Sequence, residues 1–160
     1  VSEKRYLICE IDGKGHALLL EDVAEIMDAP VFYPIPKAPG YYSGVMNCHG
    51  RPTPVLDLSS MYYGKSAGVA GKVLVLDRKM ANLALLVHSV VNIVFGPFPV
   101  GPSPSDDGTV GKMLPVAEGT ARIIEPEELI EILEAEMNRP VGDAGSTLPG
   151  RFEALREGSR

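Results

Sequence analysis

The chain is divided into short apolar runs of strand length, rich in Val, Ile, Leu and Tyr and bounded by turn residues. Arg5 to Ile11 is the first run. Asp12-Gly13-Lys14-Gly15 is a hairpin turn, and His16 to Leu20 forms the answering strand. Lys72 to Asp77 and Leu83 to Val87 repeat the arrangement across a polar bend at Arg78 to Asn82. Val90 to Phe95, Met113 to Val116 and Ala121 to Ile124 complete the series. Several runs are apolar at consecutive positions, which predicts strands covered on both faces or crossing in small, tightly curved barrels. The expected class is therefore all-β.

Helical signals are few. Glu21 to Glu25 reads as a helical turn after the second strand. Asp57 to Tyr63 begins on a capping residue and stops at Gly64. Pro126 to Met137 is a full amphipathic helix, with Pro126 at its first position and Glu127 and Glu128 at the positive end of its dipole. Leu129, Leu133 and Met137 form its apolar stripe, widened by Ile130 and Ile132. Two Pro-rich connectors, Pro30 to Gly40 and Gly96 to Gly108, read as ordered surface crossings. Residues 1–137 form one domain on this reading. Residues 138–160 form a Gly/Pro-rich tail in which Arg151 to Arg160 is one short helical piece.

Composition narrows the function classes. A formal net charge of −6 argues against duplex nucleic acid and anionic membrane surfaces, both of which favour basic patches. No apolar run reaches the ~20 residues of a membrane span, and no signal peptide opens the chain. The sequence begins at Val1, so the natural N-terminus is left open. Cys9 and Cys48 read as two reduced thiols in a cytoplasmic protein.

Catalytic motifs fail on spacing. Gly64-Lys65-Ser66 resembles the end of a phosphate-binding loop, but Ser59 stands where that loop needs glycine and no helix follows Ser66. His16, His49 and His88 are far apart, without paired cysteine ligands or a carboxylate at ligand spacing, so neither metal nor cofactor is expected. Cys48 beside His49 is the most suggestive pair for a thiol enzyme. Neighbours in an extended strand point to opposite faces, which opposes a dyad unless the backbone turns there. Asp106 and Asp107 read as solvated loop carboxylates. The aromatic and apolar residues of Pro30 to Gly44, Val31, Phe32, Tyr33, Ile35, Tyr41 and Tyr42, either cap a barrel end or form a rigid docking surface.

One stretch is more specific. Gly44-Val45-Met46-Asn47-Cys48-His49-Gly50-Arg51-Pro52-Thr53-Pro54-Val55-Leu56-Asp57-Leu58 resembles the G-V-x-N-x-R-G-x-x-x-P-V-x-D-L signature of CheW-like domains. Val23-Ala24-Glu25-Ile26 is similar to the family's V-x-E-I element, and Leu83 to Val94 to its G-L-x-V-D-x-V strand pair. The resemblance runs from about Arg5 to Met137, in family order. It implies two small five-stranded barrels of the Src-homology type and a non-catalytic adaptor joining chemoreceptors to a histidine kinase. The implied partners are the cytoplasmic tip of a methyl-accepting chemoreceptor and the regulatory domain of a CheA-type kinase. The protein would reach membrane arrays only through those partners, without inserting itself.

Carried over by position, the implied partner-binding residues are Val23, Glu25, Ile26, Gly44, Asn47, His49, Gly50, Val87, His88 and Val90. The chain departs from the pattern at three of the family's positions. His49 replaces an arginine, His88 an aspartate and Ala84 a glycine. Arginine is a permanent planar fork of donors, whereas histidine is smaller and mostly neutral near pH 7. If Glu25 pairs with His49, the pair becomes pH-sensitive on this reading. The changes also leave room for an adaptor of a divergent pathway, such as pilus motility.

Overall fold

The computed structural model describes residues 3–67, 71–96, 101–104, 110–117 and 119–138. Among the described residues, eleven strands and two α-helices run in the order β1 (Arg5–Ile11), β2 (Lys14–Leu19), β3 (Val23–Asp28), β4 (Tyr42–Cys48), β5 (Arg51–Asp57), α1 (Leu58–Tyr63), β6 (Lys72–Leu76), β7 (Ala84–Val87), β8 (Ser89–Phe95), β9 (Gly101–Pro104), β10 (Val110–Val116), β11 (Gly119–Ile123) and α2 (Pro126–Met137). They form a six-stranded sheet, β8-β1-β2-β11-β10-β9, and a five-stranded sheet, β3-β6-β7-β5-β4. The chain starts the first sheet, builds the whole second sheet, then returns to complete the first. The fold is all-β, as the apolar runs predict, and has two β-subdomains, as the family resemblance implies.

Three local expectations are corrected. Glu21 to Glu25 is not one helical turn: a 3-10 turn at Leu20–Asp22 gives way to β3 at Val23. The connector after Gly96 contains β9, which adds a sixth strand to the first sheet by pairing with β10. Its prolines are tolerated because it is an edge strand. Met137 is not part of the buried stripe of α2, being 83% exposed. That helix instead buries Pro126, Leu129 and Ile132. The tail read for residues 138–160 lies outside the described residues apart from Asn138, as do Asp106 and Asp107.

The consecutive apolar positions have a direct explanation. Leu74 and Leu76 of β6, with Leu85 and Val87 of β7, face a central core shared with β1, α1 and α2. Their alternating neighbours Val73, Val75, Ala84 and Leu86 face a second core with Met46 and Val55. In β1, Leu7, Cys9 and Ile11 join the central core, while Tyr6 and Ile8 pack into a third cluster with Ala17, Leu114 and Ala121. Each of these strands is covered on both faces, so period-2 alternation disappears from the sequence.

His16 sits within this interior. Its Nε2 lies 2.8 Å from the Tyr63 hydroxyl, and its ring stacks on Tyr62 at 5.5 Å. Burial, aided by the charges of Arg122 and Lys14, lowers its pKa to about 3, so the ring is neutral at physiological pH. Burial also pushes the Cys9 thiol up to about 12, which makes it an inert core side chain.

Candidate functional site

The signature segment forms the β4–β5 hairpin. His49 and Gly50 both adopt positive φ, +51° and +84°, and make its two-residue turn. Asn47 Oδ1 accepts a 2.8 Å hydrogen bond from the Gly50 N–H, fixing the turn from within. Pro52 and Pro54 have no N–H to donate, and pairing of β5 with β7 starts only at Val55. Asn82 holds the first half of β5 instead: its Nδ2 donates to the Pro52 carbonyl (3.0 Å), while its Oδ1 accepts from Thr53 Oγ1 (3.2 Å). Asp57 ends the segment as the cap of α1. One of its carboxylate oxygens accepts from Ser60 N–H (3.2 Å) and the other from Ala67 N–H (2.9 Å). Gly64 closes α1 in the left-handed region at φ +71°, which makes Gly64-Lys65-Ser66 a helix stop rather than a phosphate cradle.

The hairpin turn reaches across the sheet. β3 and β4 are the outermost strands of the five-stranded sheet, yet His49 Nε2 lies 2.7 Å from Glu25 Oε2 on β3. The sheet is therefore rolled so that its two edges approach at this end. Cys48 joins the pair: donor atoms of Glu25, Cys48 and His49 all lie within 4.8 Å of one another. The backbone turn at His49 cancels the opposite-facing arrangement expected of sequence neighbours in a strand. Sequence spacing could not reveal this cluster, because Glu25 arrives from a distant strand.

Gly44 serves a different close approach. Val45 and Tyr33 exchange two backbone hydrogen bonds of 2.8 and 2.7 Å, which stitch the Pro-rich crossing to the edge of β4. A Cβ at Gly44 would lie 2.5 Å from the Tyr33 carbonyl oxygen. The crossing is thereby held in place with Val31 71% and Tyr33 61% exposed. Beside them runs an open groove of about 880 Å³, walled by Val31, Phe32, Pro34, Tyr42, Ser43 and Asp57. A second exposed apolar row, Val91, Ile93 and Phe95, lies on β8 at the edge of the six-stranded sheet.

The sequence-derived positions fall into distinct places. Val23, Glu25, Ile26, Asn47, His49 and Gly50 belong to β3 and the hairpin turn near it. Ile26, Asn47, His49 and Gly50 are exposed, whereas Val23 and Glu25 are half-buried. Val87 lies in the central core and Gly44 is buried, so both shape the sheet from inside. His88 is exposed at the β7–β8 junction, where its N–H donates to the Glu10 carbonyl at 2.9 Å. Strand register keeps it apart from the His49 turn, since β5 leaves that turn at Arg51 and draws level with Ala84 only at Val55. Val90 is half-buried against the central core.

These features coincide with a match to the CheW-like domain model over residues 5–134. The chain belongs to the CheW-like domain family. In three dimensions it is similar to the crystal structure of the scaffolding protein TtCheW from Thermoanaerobacter tengcongensis. The TM-score is 0.65 at 20% sequence identity, covering 78% of this chain and 86% of that one. Comparison with curated proteins gives no match. Among the described residues, no helix of this CheW-like chain is long and apolar enough to cross a membrane.

Proposed function

We propose that this CheW-like protein is a non-catalytic adaptor that couples a chemoreceptor to a CheA-type histidine kinase. One observation carries the reading: on a chain of this family, large apolar side chains stand exposed both at the five-stranded sheet and its Pro-rich crossing and on the edge strand β8 of the six-stranded sheet. Ile26, Val31 and Tyr33 mark one face, and Val91, Ile93 and Phe95 the other. Exposed apolar clusters of this kind serve as interaction surfaces, and an adaptor requires two of them that can be occupied together. Residues 1–137 constitute the adaptor module, which works in the cytoplasm and joins membrane arrays through its partners.

On this reading Val23, Glu25, Ile26, Asn47, His49 and Gly50 form the partner face of the rolled sheet. Val90 and His88 flank the β8 face, while Gly44 and Val87 act by holding the backbone. Ile26→Glu and Ile93→Glu test the arrangement in pull-downs with a receptor cytoplasmic tip and with the kinase regulatory domain. Each charge should abolish capture of one partner and spare the other. Loss of neither, in variants with unchanged circular dichroism, contradicts the assignment of the two faces.

A second reading rests on the substitutions at His49 and His88. Both are exposed, so a partner evolved to meet arginine and aspartate there would find different donors and charge. The adaptor then serves a divergent pathway, such as pilus motility. Capture of that pathway's receptor and kinase, and not of chemotaxis components, distinguishes the two.

A further inference from the structure

We propose that Glu25, Cys48 and His49 form a binding site for one divalent transition-metal ion, of which zinc is the best match. The three residues offer a carboxylate oxygen, a sulfur and an imidazole nitrogen, all within 4.8 Å of one another. Tetrahedral zinc with bonds of about 2.0–2.3 Å places its donors roughly 3.3–3.7 Å apart. Small side-chain rotations reach that spacing from donors that are at most 4.8 Å apart, with the 2.7 Å His49–Glu25 separation opening.

The elements combine rigidity with freedom. Cys48 is fixed in the second core beside Met46 and Val55, and Asn47 locks the turn that carries His49. The His49 and Glu25 side chains are 71% and 37% exposed, so both can rotate onto an ion. A mixed sulfur, nitrogen and oxygen set selects against magnesium and calcium, which take all-oxygen shells. Three protein ligands leave the fourth position to water or to a donor from a bound partner.

Binding balances simply. The Cys48 thiol releases its proton to solvent and coordinates as thiolate. His49 shifts its ring proton from Nε2, where it faces Glu25, to Nδ1 by exchange with solvent and then coordinates through Nε2 as neutral imidazole, and Glu25 exchanges its hydrogen bond to His49 for the metal. The site needs no partner protein, so it stands or falls separately from the adaptor reading.

The test uses the reduced full chain titrated with cobalt(II), a spectroscopic substitute for zinc. A thiolate-to-cobalt charge-transfer band should rise, saturate at one equivalent and disappear on adding zinc. Cys48→Ser should remove the band, and Glu25→Gln and His49→Arg should each weaken binding by about ten-fold or more. His49→Arg can keep a partner in Glu25 and so preserves the fold, whereas Cys9→Ser should leave the titration unchanged. Absence of the band in the intact chain overturns the proposal. So does its survival in Cys48→Ser, which would place the metal elsewhere.

Discussion

His49 Nε2 and Glu25 Oε2 lie 2.7 Å apart, joining a hairpin turn at one edge of the five-stranded sheet to the strand at its other edge. The His49 side chain is 71% exposed, so solvent screens this contact and its share of stability is small. A double-mutant cycle of His49→Ala and Glu25→Gln should give a coupling below about 1 kcal/mol in urea unfolding without added metal. The same substitutions should weaken partner capture more than they weaken the fold. A larger coupling would make the pair a structural clasp instead of a surface feature.

Gly44 is a point where one methyl group should matter. Its φ of +137° is unfavourable for other residues, and a Cβ would press against the Tyr33 carbonyl. Gly44→Ala should lose about 1–3 kcal/mol in denaturant unfolding. It should also release the Pro-rich crossing, detectable as faster hydrogen exchange at the Tyr33 and Val45 amides. Gly50→Asn makes the contrasting control: no atom lies within 4 Å of a Cβ there, and asparagine tolerates the left-handed region. Its stability should change by less than that of Gly44→Ala.

Asp57 satisfies two backbone donors at once while being 4% exposed. Asp57→Ala removes a helix cap and leaves the Ala67 N–H without its acceptor, for a loss of about 2–4 kcal/mol. Asp57→Asn retains one acceptor oxygen and should lose less. Chemical denaturation of the two variants side by side checks the order.

Stability should fall in acid because of His16. Its folded-state pKa of about 3 is below the value of about 6.5 for an unfolded chain. Between those values the unfolded state binds the extra proton, so stability decreases as pH drops from about 6.5 towards 3. The His16 Nδ1 has no hydrogen-bond partner among the described residues, so protonation would bury a charge without compensation. Urea midpoints measured at pH 7 and pH 5 should show the decline, and His16→Gln should flatten it. An equally steep decline in that variant would assign the effect to other groups.

Local chemistry made part of this fold legible. Arg5–Ile11 and Pro126–Met137 end where their turn residues and helix signals say they should. The Asp57 cap and the Gly64 stop were both readable from residue type. Strand β3 was obscured because Glu21 and Asp22 resemble a helix start, and its half-exposed V-A-E-I-M-D pattern is weakly apolar. Strand β9 was obscured because Gly-Pro-Ser-Pro has poor strand propensity, and only its position beside β10 makes it a strand. The Glu25–His49 pairing was suggested by family position, whereas the gathering of Glu25, Cys48 and His49 into one cluster depends on how the sheet rolls, a long-range property that no local pattern encodes. The partner faces are legible in part: family positions pointed to the hairpin, while the exposed row on β8 emerged only with burial.

The most direct measurement is kinase activation in a reconstituted mixture of receptor cytoplasmic fragments, CheA-type kinase and this protein. The intact chain should bind both components and raise receptor-dependent kinase activity. Ile26→Glu and Ile93→Glu should each abolish that coupling without unfolding the protein. An intact chain that binds neither component and leaves kinase activity unchanged would contradict the adaptor assignment.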